Sequence, residues 1–207
     1  MTLSYENAVN DIIRVGNRLD RMQLAPATSG NYSMRVGGDE MAITVSGAHK
    51  GQLHSDQIMR AKLDGTPLED KKPSAETLLH SVLYQLYPDV NAVLHTHSVA
   101  CSVLTRLMPQ DKFLVLSGYE MLKAYSGVET HDTSVRLPIF ENTQDMVELS
   151  ARVTEILEAS PKTPAYLIRE HGIYGWGRDM AEAERVIEAT EMLLSCEMHI
   201  KQIGEGG

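Results

Sequence analysis

The stretch from Pro73 to His97 constrains this chain more than any other. A helical pattern opening at Ser74-Ala75-Glu76 is followed by a short apolar run, Ala92-Val93-Leu94, that ends in His95-Thr96-His97. The apolar run reads as a buried strand. Side chains two apart on a strand share a face, so His95 and His97 aim at one point. Two imidazoles aimed at one point are half of a zinc site. Two histidines at a strand end, each hydrogen-bonded separately, would give the same pattern.

The fold around that strand is bounded by composition. A chain of 207 residues can bury a core as one domain, 1–207, without staples. Its 43% hydrophobic and 23% charged residues are those of an ordinary globular protein. A formal charge of -9 argues against nucleic acid or an anionic membrane as partner. An anionic substrate would then have to be held by local backbone N–H groups and a few cations. Cys101 and Cys196 make no disulfide framework, which suits a reducing compartment. Met1 to Asn10 contains Glu6 and lacks the basic and apolar regions of a signal peptide, and no apolar run approaches the roughly 18 residues of a membrane span. A cytoplasmic enzyme domain is expected.

Along the chain, Tyr5, Ala8, Val9, Ile12, Ile13, Gly16 and Leu19 space out one helix face. Tyr32–Val36 and Met41–Val45 are strand-like around Gly37-Gly38-Asp39, a hairpin signal, and a further strand is expected near Met59–Leu63. Ser74 is the predicted N-cap of the next helix, with Ala75, Leu78, Leu79, Val82, Leu83 and Leu86 as its buried stripe and Glu76 off that stripe in the first turn. Helical segments are predicted at Ser98–Leu107, Glu120–Ala124 and Thr143–Ala159, with strands at Phe113–Leu116, Val135–Ile139, Ala165–Ile168 and Ile173–Trp176. Asp179 and Glu182 form a capping-box pattern before a last helix with Ala183, Val186, Ile187, Thr190, Leu193 and Leu194 inside. Hairpins and an excess of strands predict an α+β or three-layer α/β/α domain on a mostly antiparallel sheet.

His171 ends another predicted strand, and with His95 and His97 it gives the ligand count of a catalytic zinc. Imidazole also suits iron, cobalt or nickel. Glu76 could be a fourth ligand or an acid/base beside the metal. Three small-residue loops, Ser29-Gly30-Asn31, Ser46-Gly47 and Pro73-Ser74-Ala75, could cradle a phosphate together, although each alone reads as an ordinary turn. His49 and Lys50 sit beside that cradle and could help hold the phosphate. His80 reads as an i,i+4 partner of Glu76, and His54, His131 and His199 as surface residues. The 11 methionines read as core filler, and Trp176 as packing near the metal loop.

Taken together, Gly30-Asn31-Tyr32-Ser33, Thr44-Val45-Ser46-Gly47, Pro73-Ser74-Ala75-Glu76, His95-Thr96-His97 and Arg169-Glu170-His171-Gly172 resemble the class II aldolase/adducin family, from about Ala8 to Met198. Ser46-Gly47-Ala48-His49-Lys50-Gly51-Gln52-Leu53, His95-Thr96-His97-Ser98, Tyr119-Glu120 and His171-Gly172-Ile173-Tyr174-Gly175-Trp176-Gly177 resemble most closely its dehydratase branch in methionine salvage. The resemblance implies a central, mostly antiparallel sheet with helices on both faces, in a three-layer α/β/α arrangement. It implies one zinc per subunit on His95, His97 and His171, and a homotetramer with active sites near subunit interfaces. The substrate it implies is a small phosphorylated sugar, 5-methylthioribulose 1-phosphate. Glu120 is then the expected general acid/base, whereas in the sugar-phosphate aldolases of the family the position of Glu76 does that work. The phosphate would lie on Gly30, Asn31, Ser46, Gly47, Ser74 and Ala75.

Other readings stay open at this point. An aldolase that cleaves C3–C4 of a sugar phosphate would use the same metal site. A non-catalytic module like the adducin head would have no reason to keep three converging imidazoles. A structural zinc domain is disfavoured, because three histidines leave the metal open.

Overall fold

The computed structural model describes residues 3–204; Met1, Thr2 and residues 205–207 lie outside it, so the leader reading at Met1–Asn10 is described only from Leu3 onward. Eight strands form one sheet in the order β3-β2-β1-β4-β8-β7-β6-β5, where β1 is Asn31–Arg35, β2 Glu40–Thr44, β3 Ile58–Lys62, β4 Ala92–His97, β5 Phe113–Ser117, β6 Ser134–Phe140, β7 Ala165–Ile168 and β8 Gly172–Gly177. Every neighbouring pair is antiparallel except β6 and β7, which run parallel. The connection between those two carries a helix, as a parallel pair requires.

Five α-helices cover the sheet: α1 (Tyr5–Arg21), α2 (Thr77–Leu86), α3 (Val99–Arg106), α4 (Met146–Ala159) and α5 (Met180–Gly204). Helices α1, α3 and α5 pack on one face, around Ile12, Leu94, Leu104 and Ile187. Helices α2 and α4 pack on the other, around Leu79, Val93, Val153 and Tyr166. Strand alternation sorts β4 between these layers: Ala92 and Leu94 enter the first core and Val93 the second. Each such side chain taken fully out of water contributes about 1.5–3 kcal/mol. The result is the expected α/β/α sandwich.

Local signals place most boundaries well. The Asp179 carboxylate accepts from the Glu182 N–H at 2.8 Å, the predicted cap of α5. The reciprocal half differs, because the Glu182 carboxylate takes the N–H of Arg178. The predicted α5 stripe is wholly buried. Helix α2 departs from expectation: it begins at Thr77, with Glu76 rather than Ser74 at the N-cap position, and Ala75 is exposed. Pro73 bridges to Val45, and the Ser46 N–H donates to the Lys72 carbonyl, so this segment is held along the sheet until Glu76. Both cysteines are free. Among the described residues, no helix is long and apolar enough to cross a membrane.

Candidate metal centre

Register builds the site. Asn31 pairs with His95, His95 with Tyr174, and Tyr174 with Tyr166, which sets a row across β1, β4, β8 and β7. His95, Tyr174 and Tyr166 stack along that row, with centroids 4.3 and 4.8 Å apart. One step along β4, His97 faces Gly172, the first residue after the β7–β8 turn that carries His171. A side chain at Gly172 is impossible there, since a Cβ would stand 1.8 Å from the Thr96 carbonyl oxygen. Strands β4 and β8 therefore meet closely at the point where the turn delivers His171. Arg169 fixes that turn from behind. Its guanidinium donates to the carbonyls of Thr105 (2.6 Å), Met108 (2.8 Å) and Asp111 (2.9 Å) at the end of α3 and beyond it.

The three histidines expected as ligands are brought together. The Nε2 atoms of His95 and His171 are 3.3 Å apart, and those of His171 and His97 are 3.0 Å apart. The second nitrogens of two rings are already committed. His95 Nδ1 donates to the Ile173 carbonyl at 3.0 Å, and His171 Nδ1 to the Asn142 side-chain carbonyl at 3.3 Å. Each Nε2 of these two is then a lone pair aimed inward, the arrangement that outer-shell partners impose on metal-bound histidines. Burial lowers the pKa of His95 to about 4 against the opposing Glu76 carboxylate, and burial with the neighbouring imidazoles lowers that of His97 to about 3, so both stay neutral and able to ligate.

Glu76 closes the site. Its Oε2 lies 3.2 Å from His95 Nε2, and its Oε1 lies 3.4 Å from His171 Nε2. Asn31 Nδ2 (2.9 Å) and the Tyr174 hydroxyl (2.8 Å) both donate to Oε2. Burial pushes the Glu76 carboxyl up, but the imidazoles and these two donors outweigh it and leave its pKa lowered to about 2. The carboxylate is ionised. A carboxylate and inward lone pairs meeting at one point repel one another unless a cation lies among them. The donor set fits a divalent metal.

Sequence reasoning missed the residues that hold this arrangement. Read as a simple helix pair of Glu76, His80 is instead fully buried; its Nδ1 meets Ser33 Oγ at 2.7 Å, and its Nε2 meets the Asn31 side-chain oxygen. Through Asn31 it therefore orients Glu76. The Asn31 amide is committed to that acid rather than standing free for an anion. Tyr174 stood in the sequence only as part of the motif after His171 and Asn142 showed no signal, because their roles come from strand register and turn geometry. Trp176 lies further along β8, stacked on Tyr87 at 5.7 Å. It lines a separate open groove of about 1000 Å³ that includes none of the three histidines, so the expectation that it packs near the metal loop is corrected.

The three small-residue loops converge. The Val45–Pro73 bridge sets Ser46-Gly47 beside Ser74-Ala75, and Asn31 ties its loop to Glu76. Gly30 has φ +76°, and a Cβ there would come 2.7 Å from the His95 carbonyl oxygen, so the loop crosses directly behind the metal strand. Glu120 stands apart. It is 69% exposed on a short turn, Glu120–Ala124, and pairs with Lys123 and with His131 at 3.5 Å. His131 is exposed, as expected, yet it is not unpartnered.

Residues 10–198 match the family described as class II aldolase and adducin N-terminal domain. A methylthioribulose-1-phosphate dehydratase of Pseudomonas fluorescens is 50% identical over 204 residues, 98% of each chain. The enzyme of that name from Marinobacter nauticus is 48% identical over 200 residues, 96% of each chain. Among solved structures, an L-fuculose 1-phosphate aldolase superposes with a TM-score of 0.80 at 23% identity, over 98% of this chain and 90% of that one. L-fuculose-1-phosphate aldolase from Thermus thermophilus gives 0.76 at 23% identity, over 96% of each. These structural likenesses bear out the sandwich and its sheet. With the family match spanning the histidines, Glu76 and the converging loops, the chain belongs to the class II aldolase and adducin N-terminal domain family.

Proposed function

We propose that this chain is a zinc-dependent dehydratase that converts 5-methylthioribulose 1-phosphate to 2,3-diketo-5-methylthiopentyl 1-phosphate and water, in methionine salvage. Identity of about half to dehydratases of that name, over nearly the whole chain, carries the reading. The reading includes a cytoplasmic homotetramer, as the family resemblance implies.

His95, His97 and His171 would hold the metal, with Glu76 directed at the same point. When bound, the metal supplies Lewis-acid polarisation of the C2 ketone, which makes the C3 proton acidic. The chain's own residues then move protons. A carboxylate takes the C3 proton, the C4–O bond breaks with protonation of the departing hydroxyl, and the resulting enol becomes the 3-ketone. Glu120 is the proposed acid/base, supplied to the site by a neighbouring copy in the tetramer. Glu76 is too firmly ionised, by Asn31, Tyr174 and the imidazoles, to give up and retake a proton easily. Its part is to hold the metal side of the site. The loops at Gly30-Asn31, Ser46-Gly47 and Ser74-Ala75 seat the phosphate, the first without the Asn31 side-chain amide, which Glu76 and His80 hold.

Incubating the purified, zinc-loaded protein with 5-methylthioribulose 1-phosphate and weighing the product by mass spectrometry tests this. Loss of one water is expected. Fragments from C3–C4 cleavage would overturn it in favour of an aldolase.

A further inference from the structure

Among the described residues, Lys50 is a buried cation that lies outside the metal centre. It is only 1% exposed, on the short turn Lys50–Gln52. Its Nζ donates to the Thr28 carbonyl at 3.1 Å and to the Ala48 carbonyl at 2.5 Å. Thr28 leads directly into Ser29-Gly30-Asn31, and Ala48 directly follows Ser46-Gly47. One buried ammonium therefore ties together two loops that come from opposite ends of the β1–β2 hairpin. The Val45–Pro73 bridge then joins the third loop to the second.

Among the described residues, no carboxylate pairs with Lys50, and burial alone lowers its pKa, to about 8. A buried cation without an anion is costly unless something else supplies the opposite charge. Its charge is also felt at the metal centre, where it acts on His95 and His97. Two further groups on the same segment lack partners: the Ser29 and Tyr32 hydroxyls are buried and make no hydrogen bond. The chain thus holds a buried cation bound only to carbonyls, with two unmatched hydroxyls on the first loop and its strand.

We propose that Lys50 is a positioning residue for the substrate phosphate: it clamps the Gly30 and Gly47 loops at a fixed separation and leaves its positive charge for the bound dianion to balance. This rests on the reading of those loops as the phosphate seat. Lys50 acts through them and does not touch the reacting carbons, so its loss reaches binding and spares the chemical step.

The test compares the full-length, zinc-loaded chain with Lys50→Met, which keeps a long apolar stem, and Lys50→Arg, which keeps the charge. Inorganic phosphate affinity is measured by calorimetry, alongside KM and kcat for 5-methylthioribulose 1-phosphate and zinc content. For Lys50→Met, phosphate Kd and substrate KM are expected to rise about ten- to a hundredfold, the usual cost of losing hydrogen bonds to a charged group. Zinc content and kcat should hold within about threefold, and Lys50→Arg should recover much of the lost affinity. If Lys50→Met does not fold, Lys50→Gln takes its place with the same expectation. Unchanged phosphate affinity in the Met or Gln variant overturns the clamp. So does a fall in kcat and zinc content at constant KM, which would place Lys50 in support of the metal strand. Failure of the substrate reading is separate: the wild-type chain would then bind phosphate with Lys50-dependent affinity yet leave 5-methylthioribulose 1-phosphate intact.

Discussion

At the ends of β4 and β8, two of the three imidazoles and Glu76 are held in place by Ile173, Asn142, Asn31 and Tyr174. On the turn at Glu120–Ala124, a carboxylate lies 69% exposed between a lysine and a histidine. The two regions show how one reaction can be divided. Groups that bind a metal must be fixed within tenths of an ångström, and a single folded chain can do that. In the proposed division of labour, Glu76 serves the metal side and the exposed Glu120, its carboxyl lowered by Lys123, is brought to the site by assembly.

The largest effect should come from breaking the preorganised region. His97→Ala is expected to abolish zinc retention and to lower turnover by at least about 10³-fold, since all Lewis-acid help goes with the metal. Metal analysis after dialysis, with the rate measured in parallel, checks this; a variant that keeps both zinc and rate would remove His97 from the site. The contrast between the two carboxylates is sharper still as a pair of variants. Glu120→Gln should lower kcat by about 10²–10⁴-fold. Its zinc content should stay whole and its stability should change by no more than about 0.5 kcal/mol, as for other surface changes. Glu76→Gln should lower zinc affinity and rate together. If the two variants swap these signatures, the division of labour is reversed.

The smallest effect lies behind the triad. Thr96 points away from the histidines, and its hydroxyl donates to Glu191 of α5 at 3.4 Å. Burial raises the Glu191 carboxyl from 4.5 to about 7, with the hydroxyls of Ser98 and Thr96 only partly opposing it. Between those values the folded chain holds a proton that the unfolded chain has released. Stability contributed by Glu191 is therefore whole below about pH 4.5 and is lost as the pH rises through about 7. Glu191→Gln should flatten that decline by an amount of order 1–3 kcal/mol, a few degrees in Tm. Melting curves of the zinc-loaded proteins at pH 5, 6, 7 and 8 would show it; parallel curves for variant and wild type would refute it.

Much of this architecture was legible in the residues. The period-two pattern at Ala92–His97 fixed the shared direction of His95 and His97, and the Arg169-Glu170-His171-Gly172 turn placed the third ligand at a strand end. Hairpins, caps and the stripe of α5 were local signals and were read locally. The start of α2 was not, because Ser74 is an able cap that lost to a long-range bridge between Pro73 and Val45. His80 looked like a helix-surface partner because Ser33 and Asn31 reach it only after β1 has paired with β4. Lys50 was read as a neighbour of the phosphate loops, yet nothing in its surroundings announced a lysine sealed beneath them. Each miss was a residue whose environment is made by distant chain.

The pairing of His97 with Gly172 has a consequence in time as well as in space. The chain between them contains α3, β5, β6, α4 and β7, all of which must be laid down before β8 can dock on β4. Contacts this far apart in sequence close late and slow the search for the native state. During synthesis the His-x-His half of the centre leaves the ribosome long before its third histidine. The three-imidazole cluster is therefore complete only once β8 has closed the sheet against β4.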